Sequence, residues 1–185
     1  MKIKRYLYII ACFVSFLWGA SDVQAQQLAL KSNLLYDLTA TLNVGAELRV
    51  ADLYTVGLSA NYNPWTYGDN KKMKQLLFMP EVKRYFDDAF LGLYIGAHAF
   101  YGWYNWGGIA MDYRYQGKVG GAGLSVGYQW MLSPFWNLEL SGGLGYARFN
   151  SDKYAPEKDG IWMKQTKKNY IGPTQIGISL VYFIQ

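Results

Sequence analysis

The chain is poor in the residues from which most sites are built: one cysteine, Cys12, and one histidine, His98, in 185 residues. A lone cysteine excludes an internal disulfide framework, and one histidine leaves no ligand set for structural zinc. No Asp-rich stretch has calcium-loop spacing, so neither metal nor cofactor is expected. Charged residues make up only 17% and the formal net charge is +5, too mild a balance to imply nucleic acid. Beyond the N-terminus no apolar run approaches the roughly 20 residues of a spanning helix. If the chain sits in a membrane, strands must carry it there.

The N-terminus itself has the pattern of a secretory signal. Lys2, Lys4 and Arg5 form a basic region, Tyr6 to Gly19 an apolar core, and Val23-Gln24-Ala25 a small-residue cleavage site. Residues 1–25 are therefore expected to be removed, leaving 26–185 as one domain. Ile9-Ile10-Ala11-Cys12 has a lipoprotein-like pattern, but cutting there would leave an apolar core of about six residues, shorter than signals use. Cleavage removes Lys2, Lys4, Arg5, Cys12 and Asp22, so the formal charge falls from +5 to +3 and no thiol remains.

What the chain does have is alternation. From Gly117 to Phe149, Ala122, Leu124, Val126, Tyr128 and Trp130 oppose Gly121, Gly123, Ser125, Gly127 and Gln129. After the turn Met131 to Phe135, Trp136, Leu138, Leu140, Leu144 and Tyr146 oppose Asn137, Glu139, Ser141, Gly143 and Gly145. A period of two over about ten residues on each side of a short turn reads as an antiparallel hairpin. The polar face is mostly glycine, serine, alanine and asparagine rather than the lysine and glutamate of a water-facing surface. Small residues suit a narrow lumen, and a long apolar face ending in aromatics suits lipid.

The same pattern recurs over Leu28–Tyr36, Thr41–Val50, Tyr54–Asn63, Lys74–Phe86, Leu91–Tyr101 and Tyr170–Phe183. With the hairpin this gives eight strands, and Pro80 predicts a bulge or an unpaired ladder position in the fourth. Connections alternate between short (51–53, 87–89, 131–135) and long (63–73, 103–116, 150–168), as in outer-membrane barrels. The expected fold is all-β: an eight-stranded antiparallel up-and-down transmembrane β-barrel after a signal peptide.

Lys31, Glu47, Arg49, Glu81, Lys83 and Glu139 fall on the inward face, with His98. A barrel of this size is just wide enough to be filled by side chains, so these charges are expected to pair into a lumenal polar network. His98 is the sole residue able to serve a Ser-His-carboxylate arrangement. No G-x-S-x-G elbow accompanies it, and Ser59, Ser125, Ser141 and Ser179 are equivalent as partners, so no catalytic residue is assigned and no enzyme is expected. Trp65, Tyr67, Lys71, Lys72, Trp103, Trp106, Tyr113 and Trp162 fall in the expected loops. They read either as an interface girdle meeting lipopolysaccharide phosphates or as a binding surface for a surface polymer, glycan or pilus component, an envelope or fimbrial protein among the possible partners.

Lys31-Ser32-Asn33-Leu34-Leu35-Tyr36-Asp37, Tyr62-Asn63-Pro64-Trp65, Tyr115-Gln116-Gly117 and Gly172-Pro173-Thr174 together resemble domain-of-unknown-function family 3575 of the Bacteroidota. The resemblance implies an outer-membrane barrel of unknown activity, with some relatives placed near fimbrial genes, and it supplies no catalytic residues. The reading is thus a monomeric barrel of the Gram-negative outer membrane, in contact with its lipid and lipopolysaccharide, with a structural or surface-interaction role. A narrow pore, a lipid-modifying enzyme using His98, and a soluble lipocalin-like binder are the alternatives.

Overall fold

In the computed structural model, residues 27–68, 71–107, 113–155 and 160–184 are described. The expected signal peptide and its cleavage site lie outside them. The elements are β1 (Leu28–Asn33), α1 (Leu34–Leu38), β2 (Leu42–Ala51), β3 (Tyr54–Asn63), β4 (Thr66–Tyr67), β5 (Lys71–Tyr85), β6 (Gly92–Gly107), β7 (Arg114–Ser133), β8 (Trp136–Tyr154) and β9 (Trp162–Ile184). All pairings are antiparallel. Neighbours in sequence pair, β1 pairs β9, and β3 pairs β5, so eight strands close into an up-and-down ring with the two-residue β4 as an appendage to β5.

Closure abolishes free sheet edges and puts each strand's two faces in different surroundings. Val56, Leu58, Val82, Ile95, Leu124, Val126, Leu140, Leu144 and Ile176 point out and are exposed. Aromatic residues bound this apolar band on both sides. Tyr54, Phe86, Tyr128, Trp130, Trp136 and Tyr182 ring the short-turn end, and Tyr62, Phe78, Tyr101, Trp103 and Tyr146 the other. About ten residues of tilted strand separate the rings, near the 25 Å height of a barrel's lipid-facing band.

The structure corrects several expectations. The first strand stops at Asn33, where α1 begins. Asn33 accepts from the Leu35 backbone N–H at 3.1 Å, capping the turn, while its amide donates to the Ile176 carbonyl at 3.1 Å. An N-cap side chain that also reaches a neighbouring strand outweighs the apolar alternation of Leu34 and Tyr36. The expected loops 103–116 and 150–168 are mostly paired strand: Trp106 opposes Tyr115, Arg114 opposes Tyr154, and Tyr154 opposes Trp162. Past the aromatic ring polar and aromatic residues occur on both faces of these strands, so the apolar alternation disappears although the ladder continues. The turn placed at Met131 to Phe135 is tighter, Pro134-Phe135, with β7 running to Ser133.

At Pro80 the ladder is interrupted on one side. Phe78 pairs Tyr101 and Glu81 pairs His98 in the same register, with the intervening positions unpaired, while Pro80 still opposes Leu58 on β3. Proline has no N–H to give β6, so this is a gap in the ladder rather than a bulge.

Candidate functional site

The lumen is filled in three layers. At the short-turn end Ala29, Ala89, Phe90 and Val181 form an apolar cluster with Phe183 against it. Phe90 sits in the turn after β5 with φ of 68°, a backbone conformation unfavourable for a bulky residue. Its ring meets Phe183 edge-on at 5.1 Å and its carbonyl accepts from Asn137 Nδ2 at 2.8 Å, so the turn folds inward as a stopper. Toward the loop end a second apolar cluster, Met79, Phe100 and Ala147 with Leu77, Val119 and Phe149, covers the β5 to β8 side of the lumen, while on the opposite side a polar recess of about 50 Å³ lined by Lys31, Asn33, Asn43, Asn61, Glu81 and Gln175 reaches the charged residues.

Between these levels lies the charged layer. Lys83 donates to Glu47 Oε2 at 2.8 Å and Glu139 Oε2 at 2.5 Å, and all three side chains are fully buried. Lys31 Nζ lies 3.4, 3.6 and 3.8 Å from carboxylate oxygens of Glu47, Glu139 and Glu81. The remaining acceptor positions are used by neutral donors. Thr55 and Tyr85 donate to Glu47 at 2.6 and 3.2 Å, and Ser125 and Gln175 donate to Glu81 at 2.6 and 3.3 Å. Tyr85 lies 2.8 Å from Gln129 Oε1, and the Lys83 ammonium sits 4.5 Å above the Tyr94 ring.

Every strand of the ring supplies a member: Lys31 from β1, Glu47 from β2, Thr55 from β3, Glu81, Lys83 and Tyr85 from β5, Tyr94 from β6, Ser125 and Gln129 from β7, Glu139 from β8 and Gln175 from β9. Buried charges are tolerable only when paired and hydrogen-bonded, so the layer fixes all eight strands in one mutual register.

His98 stands one step away, opposite Glu81 on the neighbouring strand. Its Nε2 lies 2.9 Å from Thr174 Oγ1. Thr174 is there because β9 carries an extra residue: Gly143 opposes Gln175 but Leu144 opposes Pro173. Such a bulge re-aims a side chain, here turning a threonine into the lumen. Gly123 and Gly143 wall the niche, and a Cβ on either would come within 3.0 Å of His98 Cε1. His98 Nδ1 is buried without a hydrogen-bond partner among the described residues.

Of the expected lumenal network, the structure thus joins Lys31, Glu47, Glu81, Lys83 and Glu139, sets His98 beside it, and removes Arg49. Arg49 lies near the end of β2 and reaches the short-turn rim, 2.9 Å from Asp88 and 3.4 Å from Asp52. A long side chain two residues from a strand end can reach water, and the core is left with three carboxylates to two ammonium groups. The structure adds Thr55, Tyr94, Gln129 and Thr174. Thr55, Tyr94 and Gln129 carry the inward parity of their strands, whereas Thr174 depends on a bulge that parity cannot show.

The expected loop set does not form one surface. Trp65 donates to the Ala40 carbonyl at 2.6 Å, tying the β3–β4 connection to that after α1. Tyr67, Lys71 and Lys72 belong to the β4–β5 pairing. Trp103 faces outward beside Tyr101, whereas Trp106 packs on Tyr104 of the lumenal face at 5.0 Å. The Tyr113 ring lies 3.3 Å from Lys153 Nζ, and Trp162 donates to Asp152 at 3.2 Å.

The family described as "Protein of unknown function (DUF3575)" matches residues 10–184. The chain belongs to the DUF3575 family. No curated protein and no solved structure matches it. In this DUF3575 protein the resembling motifs have visible roles. Lys31 to Asp37 supplies a network lysine and the Asn33 cap, with Asn43 donating to Asp37 at 2.8 Å. Asn63 donates to Thr41 at 2.9 Å and accepts from Trp65 N at 3.1 Å, and Gly172-Pro173-Thr174 makes the bulge facing His98.

Proposed function

We propose that this DUF3575 protein is a monomeric outer-membrane β-barrel of a Gram-negative envelope, exported by residues 1–25, with a structural or surface-interaction role rather than a catalytic one. The observation that carries this is the outward apolar band with an aromatic ring at each end, wrapped around a narrow lumen that holds the paired charges. A soluble binder would put its apolar face inside. A pore would need a continuous polar path, and here the apolar cluster around Phe90 stops the short-turn end.

The test is expression of the full precursor in a Gram-negative host, followed by outer-membrane isolation and gel comparison of boiled and unboiled samples. A heat-modifiable band in that fraction is expected; a soluble periplasmic product without a shift refutes the reading. Purified protein in planar bilayers should give no conductance steps, and steps in the wild type overturn the sealed lumen. Loss of a lipid A modification on His98→Ala would instead favour an enzyme.

An envelope or fimbrial protein is the partner this reading favours, because the strands project past the aromatic ring at one end alone. Exchanging the tip 155–161 for a short Gly-Ser turn should abolish partner pull-down and preserve heat-modifiability. Unchanged pull-down counts against it. Deleting all of 150–168 would instead remove paired segments of β8 and β9.

A further inference from the structure

Outside the lumen, a groove of about 450 Å³ opens at the loop end. Its lining follows from register. Lys74, Asn105, Gln116 and Asp152 oppose one another across β5 to β8, and in the next row Leu76, Trp103, Lys118 and Asn150 do the same. Trp103 belongs to the aromatic ring that ends the apolar band, so the groove begins where the band stops. Tyr154, with the Arg114 guanidinium 4.6 Å from its ring, bounds the far side.

Three chemistries converge on this surface. Trp103 and Tyr154 offer electron-rich ring faces, which attract the weakly positive C–H face of a sugar ring. Asn105, Gln116 and Asp152 offer amide and carboxylate groups suited to hydroxyls. Lys74 and Lys118 have no ion-pair partner among the described residues, and Lys167 extends the basic row through Asn150. Unpaired ammonium groups beside an aromatic platform suit a phosphate attached to a sugar.

We propose that this groove holds the phosphorylated saccharide headgroup of a glycolipid in the surrounding leaflet. The proposal rests on the outer-membrane reading, since the groove's height above the apolar band is what places it among headgroups. An apolar peptide would leave the lysines unanswered, and a simple anionic phospholipid would leave the aromatic platform and amides unused.

The experiment uses the purified full-length barrel in zwitterionic micelles and a fluorescent bisphosphorylated, acylated diglucosamine lipid, with binding read by anisotropy. Saturable binding is expected, weakened about tenfold or more by Lys118→Ala and by Trp103→Ala, while both variants keep the heat-modifiable band. The dephosphorylated lipid and phosphatidylglycerol should each bind at least about tenfold more weakly. Phosphatidylglycerol binding as tightly, or unchanged binding by both variants, overturns the proposal. A water-soluble glucosamine phosphate binding as tightly as the lipid overturns the membrane source. Because these measurements do not depend on cellular location, their failure is separable from failure of the fractionation test.

Discussion

Replacing Lys83 with methionine keeps most of the side-chain volume and removes the ammonium that Glu47 and Glu139 share. The hydrogen bonds of 2.8 and 2.5 Å put the two carboxylate oxygens within about 5.3 Å of each other. At an effective dielectric constant of about 20, two like charges at that separation repel by about 3 kcal/mol. Lys31 remains, but at 3.4 and 3.6 Å from these groups and partly exposed it answers only part of the charge. Breaking a buried pair by removing one partner costs about 3–5 kcal/mol, and the same loss is expected here. Urea unfolding in micelles, followed by tryptophan fluorescence with gel mobility as a second probe, measures it. Adding Glu139→Gln to Lys83→Met should recover most of the loss, because the repulsion then has no second member. A single-variant loss under about 1 kcal/mol, or no recovery in the double variant, would refute the claim that this layer sets the strand register.

Gly123→Ala should destabilise by about 1–3 kcal/mol, because its Cβ would sit 2.8 Å from Thr174 Oγ1 and 2.9 Å from His98 Cε1. Gly142→Ala, with nothing within 4 Å of the new methyl, should be near neutral in the same assay; similar losses at both sites would contradict the assigned faces. Asn33→Ala removes the cap of α1 and the tie to the Ile176 carbonyl, with an expected loss of about 1–2 kcal/mol. Faster amide exchange confined to Leu35 and Ile178, whose N–H groups bond to Asn33 Oδ1 at 3.1 and 3.3 Å, would localise that effect. Thr174→Val leaves both His98 nitrogens without a side-chain partner, so a loss of about 1–3 kcal/mol is expected; His98→Phe added to it should cost little more if that hydrogen bond is the reason for the pairing.

Alternation makes the strands, their inward and outward faces and the barrel class readable, because the Cβ direction reverses at every residue of a strand and the lumen and the outer surface of the ring carry opposite residue types. That parity also placed Lys31, Glu47, Glu81, Lys83 and Glu139 inside, as the structure has them. It failed where the face is not decided by the strand alone. Arg49 has the inward parity, but its length and its place near the end of β2 let it reach Asp88 at the rim. Phe90 lies in a turn and becomes a stopper because the chain accepts a positive φ there. Past the aromatic rings, β6 to β9 continue as a ladder with no hydrophobic contrast to mark it, so they read as loops.

The class and the inventory are legible in the residues alone, since both depend on local periodicity and on which residue types a narrow lumen admits. Which charges meet is set by closure of the ring, because Lys83 and Glu139 are 56 residues apart and come together through the stagger of strands around it. The bulge at Thr174 and the outward groove are likewise products of register, a relation between strands that no single strand encodes.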